Sequence, residues 1–296
     1  GLVVDPTVMR ADPAITWDPA SRVYRMYTSE TWFASIPEWQ SPKVTGPWHY
    51  VGDALPVLPA WHGHLFSTWA PEVQDVDGVW TLWASTAATA DPQGYVCLFR
   101  ATARTAAGPF TVDPRRVPCD ADLNGDIDPA MAQVSGHWWL LDKTNANAVG
   151  QPTTFFSQRL GPDGMPAGPR FTLLTSDQPW EAGMIEAPSL VANSTTGQWW
   201  LVFSAGSTDA NDPTYQIYTT PCDGAEGPCH IGRVVKLVSR NAQGAAPGEE
   251  YAFDATDGQA WIAYNPGAYF AQPTDRPLAL VKLDFDDRGE PYVVTP

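Results

Sequence analysis

The sequence is poor in basic residues, histidine and cysteine, and it has no long apolar run. Lysine and arginine number 17 against 33 aspartates and glutamates, a formal charge of −16 over 296 residues. So negative a surface repels phosphate backbones and anionic lipid, which argues against nucleic acid and membrane as partners and is compatible with a neutral substrate. The same charge also keeps a secreted protein soluble. No stretch approaches the roughly 20 apolar residues that a membrane-spanning helix requires. The five histidines are scattered and no Cys-x-x-Cys occurs, so no metal centre is expected. The four cysteines, Cys97, Cys119, Cys222 and Cys229, allow three pairings. Proximity favours Cys97–Cys119 as a hairpin staple and Cys222–Cys229 as a loop staple. Disulfides imply an oxidising compartment and hence secretion, and Asn193-Ser194-Thr195 would accept a glycan in a eukaryotic host. The chain opens at Gly1-Leu2-Val3-Val4 without a basic, apolar leader, as expected where a signal peptide has been removed or lies outside this sequence.

What is abundant is Trp (14), Pro (29) and Gly (24). Aromatic residues with frequent Pro and Gly suit short strands separated by tight turns. A phrase of the form small-or-acidic, Pro, small, apolar recurs, followed after a turn by an aromatic strand. It reads Asp12-Pro13-Ala14-Ile15, Ala70-Pro71-Glu72-Val73, Asp128-Pro129-Ala130-Met131 and Ala187-Pro188-Ser189-Leu190, with a weaker fifth at Ala246-Pro247-Gly248-Glu249. Its prolines are spaced by 58, 58, 59 and 59 residues. Turn glycines Gly78, Gly136, Gly197 and Gly258 precede the aromatic strand in four copies, so each repeat begins with a hairpin. Each period has room for about four strands of five or six residues, one propeller blade. The runs Trp80–Ser85 and Trp199–Ser204 are apolar on both faces, as strands packed between blades should be. A long β-sandwich would not explain a fivefold period. The expectation is therefore an all-β chain, residues 1–296 forming one five-bladed β-propeller domain, with the strand near Leu2–Val4 closing the ring beside the C-terminal strands.

Equivalent positions of a propeller's blades form a ring about its axis. The residue before each periodic Pro opens the innermost strand, so Asp12, Ala70, Asp128, Ala187 and Ala246 should converge at one mouth, with Glu186 one step earlier in the fourth copy. Taken singly, Asp12 is an ordinary Asp-Pro turn starter, and Asp128 follows the turn-like Asn124-Gly125-Asp126. Glu186, between Ile185 and Ala187, is a charge in an apolar phrase. Together they place carboxylates from three blades in one region, where like charges raise one another's pKa. Two carboxylates flanking a sugar are the minimum for glycoside hydrolysis, one donating a proton to the leaving oxygen and the other activating water or attacking directly. Acids facing each other across an axial pocket favour the inverting arrangement, with carboxyl groups ~6.5–9.5 Å apart. A third acid can tune and orient the donor.

At these residues the chain resembles glycoside hydrolase family 43, five-bladed propeller enzymes acting on arabinose- and xylose-containing glycans. The motifs are Ala11-Asp12-Pro13-Ala14-Ile15 with Tyr27-Thr28-Ser29, Trp69-Ala70-Pro71-Glu72-Val73, Ile127-Asp128-Pro129, Ile185-Glu186-Ala187-Pro188 and the closing Leu283–Pro291. The resemblance implies an inverting mechanism with Asp12 as general base, Glu186 as general acid and Asp128 as the acid that tunes the donor. Sucrose- and fructan-cleaving propellers differ at the opening phrase, and carry Arg and Cys where this chain has Ile127 and Ala187. Many family members carry a fifth-blade His that helps to hold a central cation. Here Glu249-Glu250-Tyr251 follows Pro247-Gly248, so no cofactor is required, although carboxylates could serve a structural Ca²⁺ at the axis. Asp5-Pro6-Thr7-Val8 mimics the base motif, but the 58-residue period selects Asp12.

Trp69 and Trp32 are the candidate sugar platforms, since flat sugar faces stack on aromatic rings. Trp80, Trp138 and Trp199 are assigned to blade core. Lys143, Asn145 and His64 are expected in loops that reach the pocket. Segments 30–64 and 207–234 read as insertions that could wall the pocket and favour exo cleavage. The expected substrate is an oligo- or polysaccharide, arabinofuranosyl linkages first, then xylosyl and galactofuranosyl, acted on by a monomer. A non-catalytic carbohydrate-binding propeller is the alternative; it should have lost one of the three acids.

Overall fold

A computed structural model of the chain describes residues 1–4, 7–63, 66–88, 94–117, 119–209, 213–240, 246–267 and 276–296. Among them the regular structure is β, apart from four short 3-10 turns. The first strand, β1 (Leu2–Val4), is set aside by the chain for the end. Blade 1 is β2 (Ala14–Asp18), β3 (Val23–Tyr27), β4 (Pro37–Ser41) and β5 (His49–Asp53). Blade 2 is β6 (Trp69–Val76), β7 (Val79–Ala87), β8 (Val96–Ala103) and β9 (Thr111–Val112). Blade 3 is β10 (Asp126–Val134), β11 (His137–Thr144), β12 (Thr154–Leu160) and β13 (Pro166–Thr175). Blade 4 is β14 (Ile185–Ala192), β15 (Trp199–Ala205), β16 (Gln216–Cys222) and β17 (Val235–Val238). Blade 5 is β18 (Gly248–Asp254), β19 (Ala260–Asn265) and β20 (Leu278–Phe285), completed by β1 on β20, with β21 (Pro291–Val294) also paired to β20.

Five sheets of antiparallel, sequentially paired strands thus form a five-bladed propeller. The pairing Leu2↔Leu280 joins the two ends of the chain in one blade, so the ring closes without a free edge there. The first hairpins turn through glycines whose φ lies between 73° and 88°, at Gly78, Gly136, Gly197 and Gly258. Apolar burial is distributed between the blades. Tyr27 and Ile36 of blade 1 pack on Leu82 and Phe99 of blade 2. Trp83 meets Leu140, Leu141 and Phe155 meet Ile185 and Phe203, Trp200 meets Ile262 and Val281, and Phe253 and Leu280 return to Ile15 and Met26. The second strand of each blade is therefore buried on both faces, which explains why its sequence does not alternate.

Both expected staples are present, Cys97–Cys119 and Cys222–Cys229. Segments 30–64 and 207–234 are not insertions. They contain β4, β5 and β16, outer-blade strands whose Pro and Gly content disguises them. Trp80 is core, whereas Trp138 and Trp199 are only partly buried and line the channel end that also carries Gln74, Gln133 and Asp254.

Candidate active site

The innermost strand of every blade carries the same backbone device. Asp12, Ala70, Asp128, Ala187 and Glu249 all have positive φ, between 48° and 54°. In blades 2 to 5 the ladder slips there, between Trp69 and Glu72, Ile127 and Ala130, Glu186 and Ser189, and Gly248 and Tyr251. Such a bulge re-aims the side chain, and left-handed backbone costs a non-glycine residue about 1–2 kcal/mol. The device corrects one expectation. The fifth ring position is Glu249, not Ala246, because the bulge in blade 5 has no proline and alignment on Pro247 is three residues early. Four blades therefore bring a carboxylate to the mouth: Asp12, Asp128, Glu186 and Glu249.

The bulged amides are caught by the neighbouring blade. Ala70 N–H donates to Ser29 Oγ at 2.9 Å, Ala187 N–H to Asp128 Oδ2 at 3.1 Å, Glu249 N–H to Ser204 Oγ at 3.1 Å and Asp12 N–H to Asn265 Oδ1 at 3.1 Å. In blades 1, 4 and 5 the small polar residue at the end of the aromatic strand, Ser29, Ser204 or Asn265, is thus an inter-blade latch at the mouth, and in blade 3 Asp128 takes that part.

A cleft of about 280 Å³ lies over this ring, lined by Asp12, Trp69, Asp128, Glu186, Glu249 and Arg276, with Ile127, Asn145 and Asn147 completing its wall. Asp12 accepts hydrogen bonds from Ser29 Oγ and the Arg276 guanidinium. Arg276 also lies 3.9 Å from Glu249 Oε1. Glu186 Oε2 is paired with Lys143 Nζ at 2.7 Å, and Glu186 Oε1 accepts from Tyr215 Oη at 2.5 Å. Tyr215 reaches it only because Gly248 lacks a side chain; a Cβ there would overlap the tyrosine ring. Glu249 lines the same cleft as Glu186.

The electrostatics divide these acids. Burial alone would raise Glu186, but the Lys143 ammonium and the Tyr215 hydroxyl outweigh it and hold its pKa below the usual carboxylate value. Burial raises Asp128 to about 6, with Lys143 pulling it down and Glu186 pushing it up. Burial, then repulsion from Glu186, Asp12 and Asp128, pushes Glu249 well above the carboxylate range. Burial opposes the Lys143 charge, but Glu186 and Asp128 win and raise its pKa.

Of the residues singled out from the sequence, Asp12, Asp128, Glu186, Trp69 and Asn145 meet at this cleft. Lys143 is not in a loop: it lies on β11, fully buried, and touches the site through Glu186. Trp32 is elsewhere, 84% exposed in a separate groove with Phe33, Trp39 and Tyr50, because the short bridge between Thr31 and Ala34 turns this loop outward. His64 and Asp5 fall outside the described residues. Glu249, Arg276 and Tyr215 went unrecognised in the sequence. For Glu249 the available signal was the remainder of the strand phrase, Tyr251-Ala252-Phe253, set against Trp261; Arg276, 264 residues from its partner Asp12, leaves none.

Below the cleft the channel narrows to a space of about 30 Å³, ringed by Asp12, Asp128, Glu249, Glu250 and the blade prolines. Among the described residues no three His, Cys, Asp or Glu side chains are grouped to hold a metal ion. The acids at the waist are engaged with protein donors instead, Asp12 with Ser29 and Arg276, Asp128 with the Ala187 amide and Glu250 with Ser204. No step below is routed through a metal.

The model of the glycosyl hydrolases family 43 matches residues 6–291. A thermostable family-43 glycoside hydrolase is similar in structure, with TM-score 0.80 at 19% identity, covering 100% of this chain and 96% of that one. An endo-1,4-β-xylanase from Bacteroides thetaiotaomicron gives 0.78 at 19% identity, covering 100% and 97%. An exo-1,5-α-L-arabinanase from a bovine ruminal metagenomic library gives 0.74 at 19%, covering 99% and 100%. At such identities the likeness is one of fold. No curated protein sequence matches the chain.

Proposed function

The chain belongs to glycosyl hydrolases family 43, and on that premise we propose that it is a secreted, inverting O-glycosidase. Its substrate is an oligo- or polysaccharide of plant or microbial cell walls, with arabinofuranosyl linkages first and xylosyl or galactofuranosyl linkages next. Asp12 is the general base that takes a proton from the attacking water, oriented by Ser29 and Arg276. Glu186 is the acid that protonates the leaving oxygen. Asp128, buried beside Lys143 and Glu186, tunes the donor.

One observation carries this reading: carboxylates from separate blades are turned by the same strained bulge into one cleft beside Trp69. Stability does not call for buried like charges, whereas acid–base catalysis does. Asp12 and Glu186 stand on blades 1 and 4, with blade 5 between them, which suits the water-sized gap of an inverting pair. Trp69 offers a flat apolar face at the rim. The two disulfides support an oxidising compartment.

The test is a panel of aryl arabinofuranosides, xylosides and galactofuranosides, with the first-released anomer read by NMR. Inversion is expected, together with a loss of about 10²–10⁴-fold in Asp12→Asn and in Glu186→Gln on substrates with poor leaving groups. Retention of configuration, or either variant working at the wild-type rate, overturns the assignment. Glycan binding without any hydrolysis would favour a carbohydrate-binding propeller instead.

A further inference from the structure

The acid assigned to Glu186 must carry a proton, yet the two donors that touch Glu186 favour its ionised form. Lys143 Nζ and Tyr215 Oη each donate to one of its oxygens. Among the described residues, two cations, Lys143 and Arg276, face the acids Asp12, Asp128, Glu186, Glu249 and Glu250 around the mouth and waist. Five carboxylates cannot all be charged against two cations in so small a space. Two of them, Glu186 and Glu249, line the same cleft, where a proton on one relieves its repulsion with the other.

We propose that Glu249, the bulge residue of blade 5, is the proton store of this site: it holds the leaving-group proton in the resting protein and passes it to Glu186 during turnover. This rests on the glycosidase reading above. The groups facing Glu249 are Glu186 on β14, Asp128 on β10, Asp12 ahead of β2, Lys143 on β11, Arg276 ahead of β20 and Glu250 beside it. Three of these acids, Glu186, Asp12 and Asp128, oppose its ionisation. Arg276 favours it, but at 3.9 Å from Glu249 it is committed to Asp12 through the same nitrogen. Lys143 is spent on Glu186. The strong upward displacement of the Glu249 pKa agrees with this geometry.

The proton moves in a balanced sequence. Glu249 gives its carboxyl proton to Glu186, and Glu186 gives it to the glycosidic oxygen as the bond from that oxygen to the anomeric carbon breaks. The bonding electron pair leaves on the oxygen. Water attacks the same carbon and its proton goes to Asp12. Afterwards Asp12 releases a proton to solvent and Glu249 recovers one from it, so the net consumption is one water.

The experiment is Glu249→Gln, which keeps a hydrogen-bond donor toward Glu186 but has no proton to lend. With a glycan or alkyl leaving group, kcat/KM is expected to fall about 10²-fold, and with a dinitrophenyl leaving group, which departs without protonation, only about threefold. The alkaline limb of kcat/KM against pH moves to lower pH in the variant. A merely structural role would slow both substrates alike and leave the limb in place; that outcome overturns the proposal. Infrared difference spectra at pH 7 read the proton without turnover. One protonated-carboxyl band is lost in Glu249→Gln and kept in Glu186→Gln. Loss in Glu186→Gln alone puts the proton on Glu186 and overturns the proposal. A wild type that cleaves no glycoside overturns the functional reading, and the band still decides where the proton resides.

Discussion

Replacing Lys143 by Met removes one charge from a site where little else can change. The side chain is fully buried, its Nζ lies 2.7 Å from Glu186 Oε2, and Met fills nearly the same volume. At an effective dielectric constant of 20, two charges at that separation attract by about 6 kcal/mol. Loss of one partner from a buried pair costs about 3–5 kcal/mol, because the other charge stays behind. In a chain of this size each kcal/mol is worth roughly 2 °C, so the melting temperature at pH 8 should fall by about 6–10 °C.

The pH dependence tests the cause. In the wild type the lowered Glu186 pKa gives stability that is present above the unfolded value of 4.5 and is lost only as pH falls through the folded value. The raised Lys143 pKa gives stability present below 10.5 and lost as pH rises past it. The pair is therefore intact from pH 5 to pH 9. Without Lys143, burial is no longer opposed by a cation and the Glu186 pKa rises, so stability is now lost as pH increases through it. Thermal unfolding at pH 5 and pH 8 should show Lys143→Met less than half as costly at the lower pH. Exposed Lys236→Met is the control. Equal losses at both pH values, or none at pH 8, would refute the account of Glu186 as a carboxylate held ionised by Lys143.

Asp128→Asn should stabilise the protein while impairing catalysis. The Asp128 pKa is raised from 3.8 to about 6, so its contribution is intact below pH 4 and lost as pH rises through 6. Its removal is expected to gain about 1–3 kcal/mol at pH 8 and nothing at pH 4, by the linkage of about 1.4 kcal/mol per unit; a variant no more stable than wild type at pH 8 contradicts this. Dialysis against EDTA should leave kcat within about twofold, since Lys143 and Arg276 supply the positive charge beside the acids. Activity lost on chelation and restored by Ca²⁺ would place a metal in the reaction.

The period of 58 to 59 residues made the propeller legible because each blade must bury the same two faces. It also located Asp12, Asp128 and Glu186, since the bulge recurs at one point of that period. The steps between successive bulge residues are 58, 58, 59 and 62, so the register slips only in blade 5, where the proline that marks the others is missing. Lys143 was legible as a residue near the site but not as a buried one. Its burial depends on Glu186, a partner 43 residues away on the next blade. Trp32 failed for the opposite reason: an aromatic residue close in sequence to Ser29 need not share its direction, and here the loop turns it outward.

Blade 5 shows what the missing proline allows. In blades 1 to 4 the residue after the bulge is Pro13, Pro71, Pro129 or Pro188, which has no N–H to leave unsatisfied in the crowded waist. Blade 5 has Glu250 there, which keeps its amide N–H. Ser204 then does two things at once. Its hydroxyl donates to Glu250, and its oxygen accepts the Glu249 N–H that the left-handed backbone turns toward it. A side-chain network thus holds the fifth bulge in the conformation that proline accompanies elsewhere. The exchange brings a second buried carboxyl group beside Glu249, whose charge would be opposed by Glu186 and Asp128. Two adjacent acids, each more stable neutral, turn the fifth blade into the proton-rich side of the mouth. Glu186, on the fourth blade and held ionised by Lys143 of the third, is the acceptor beside it.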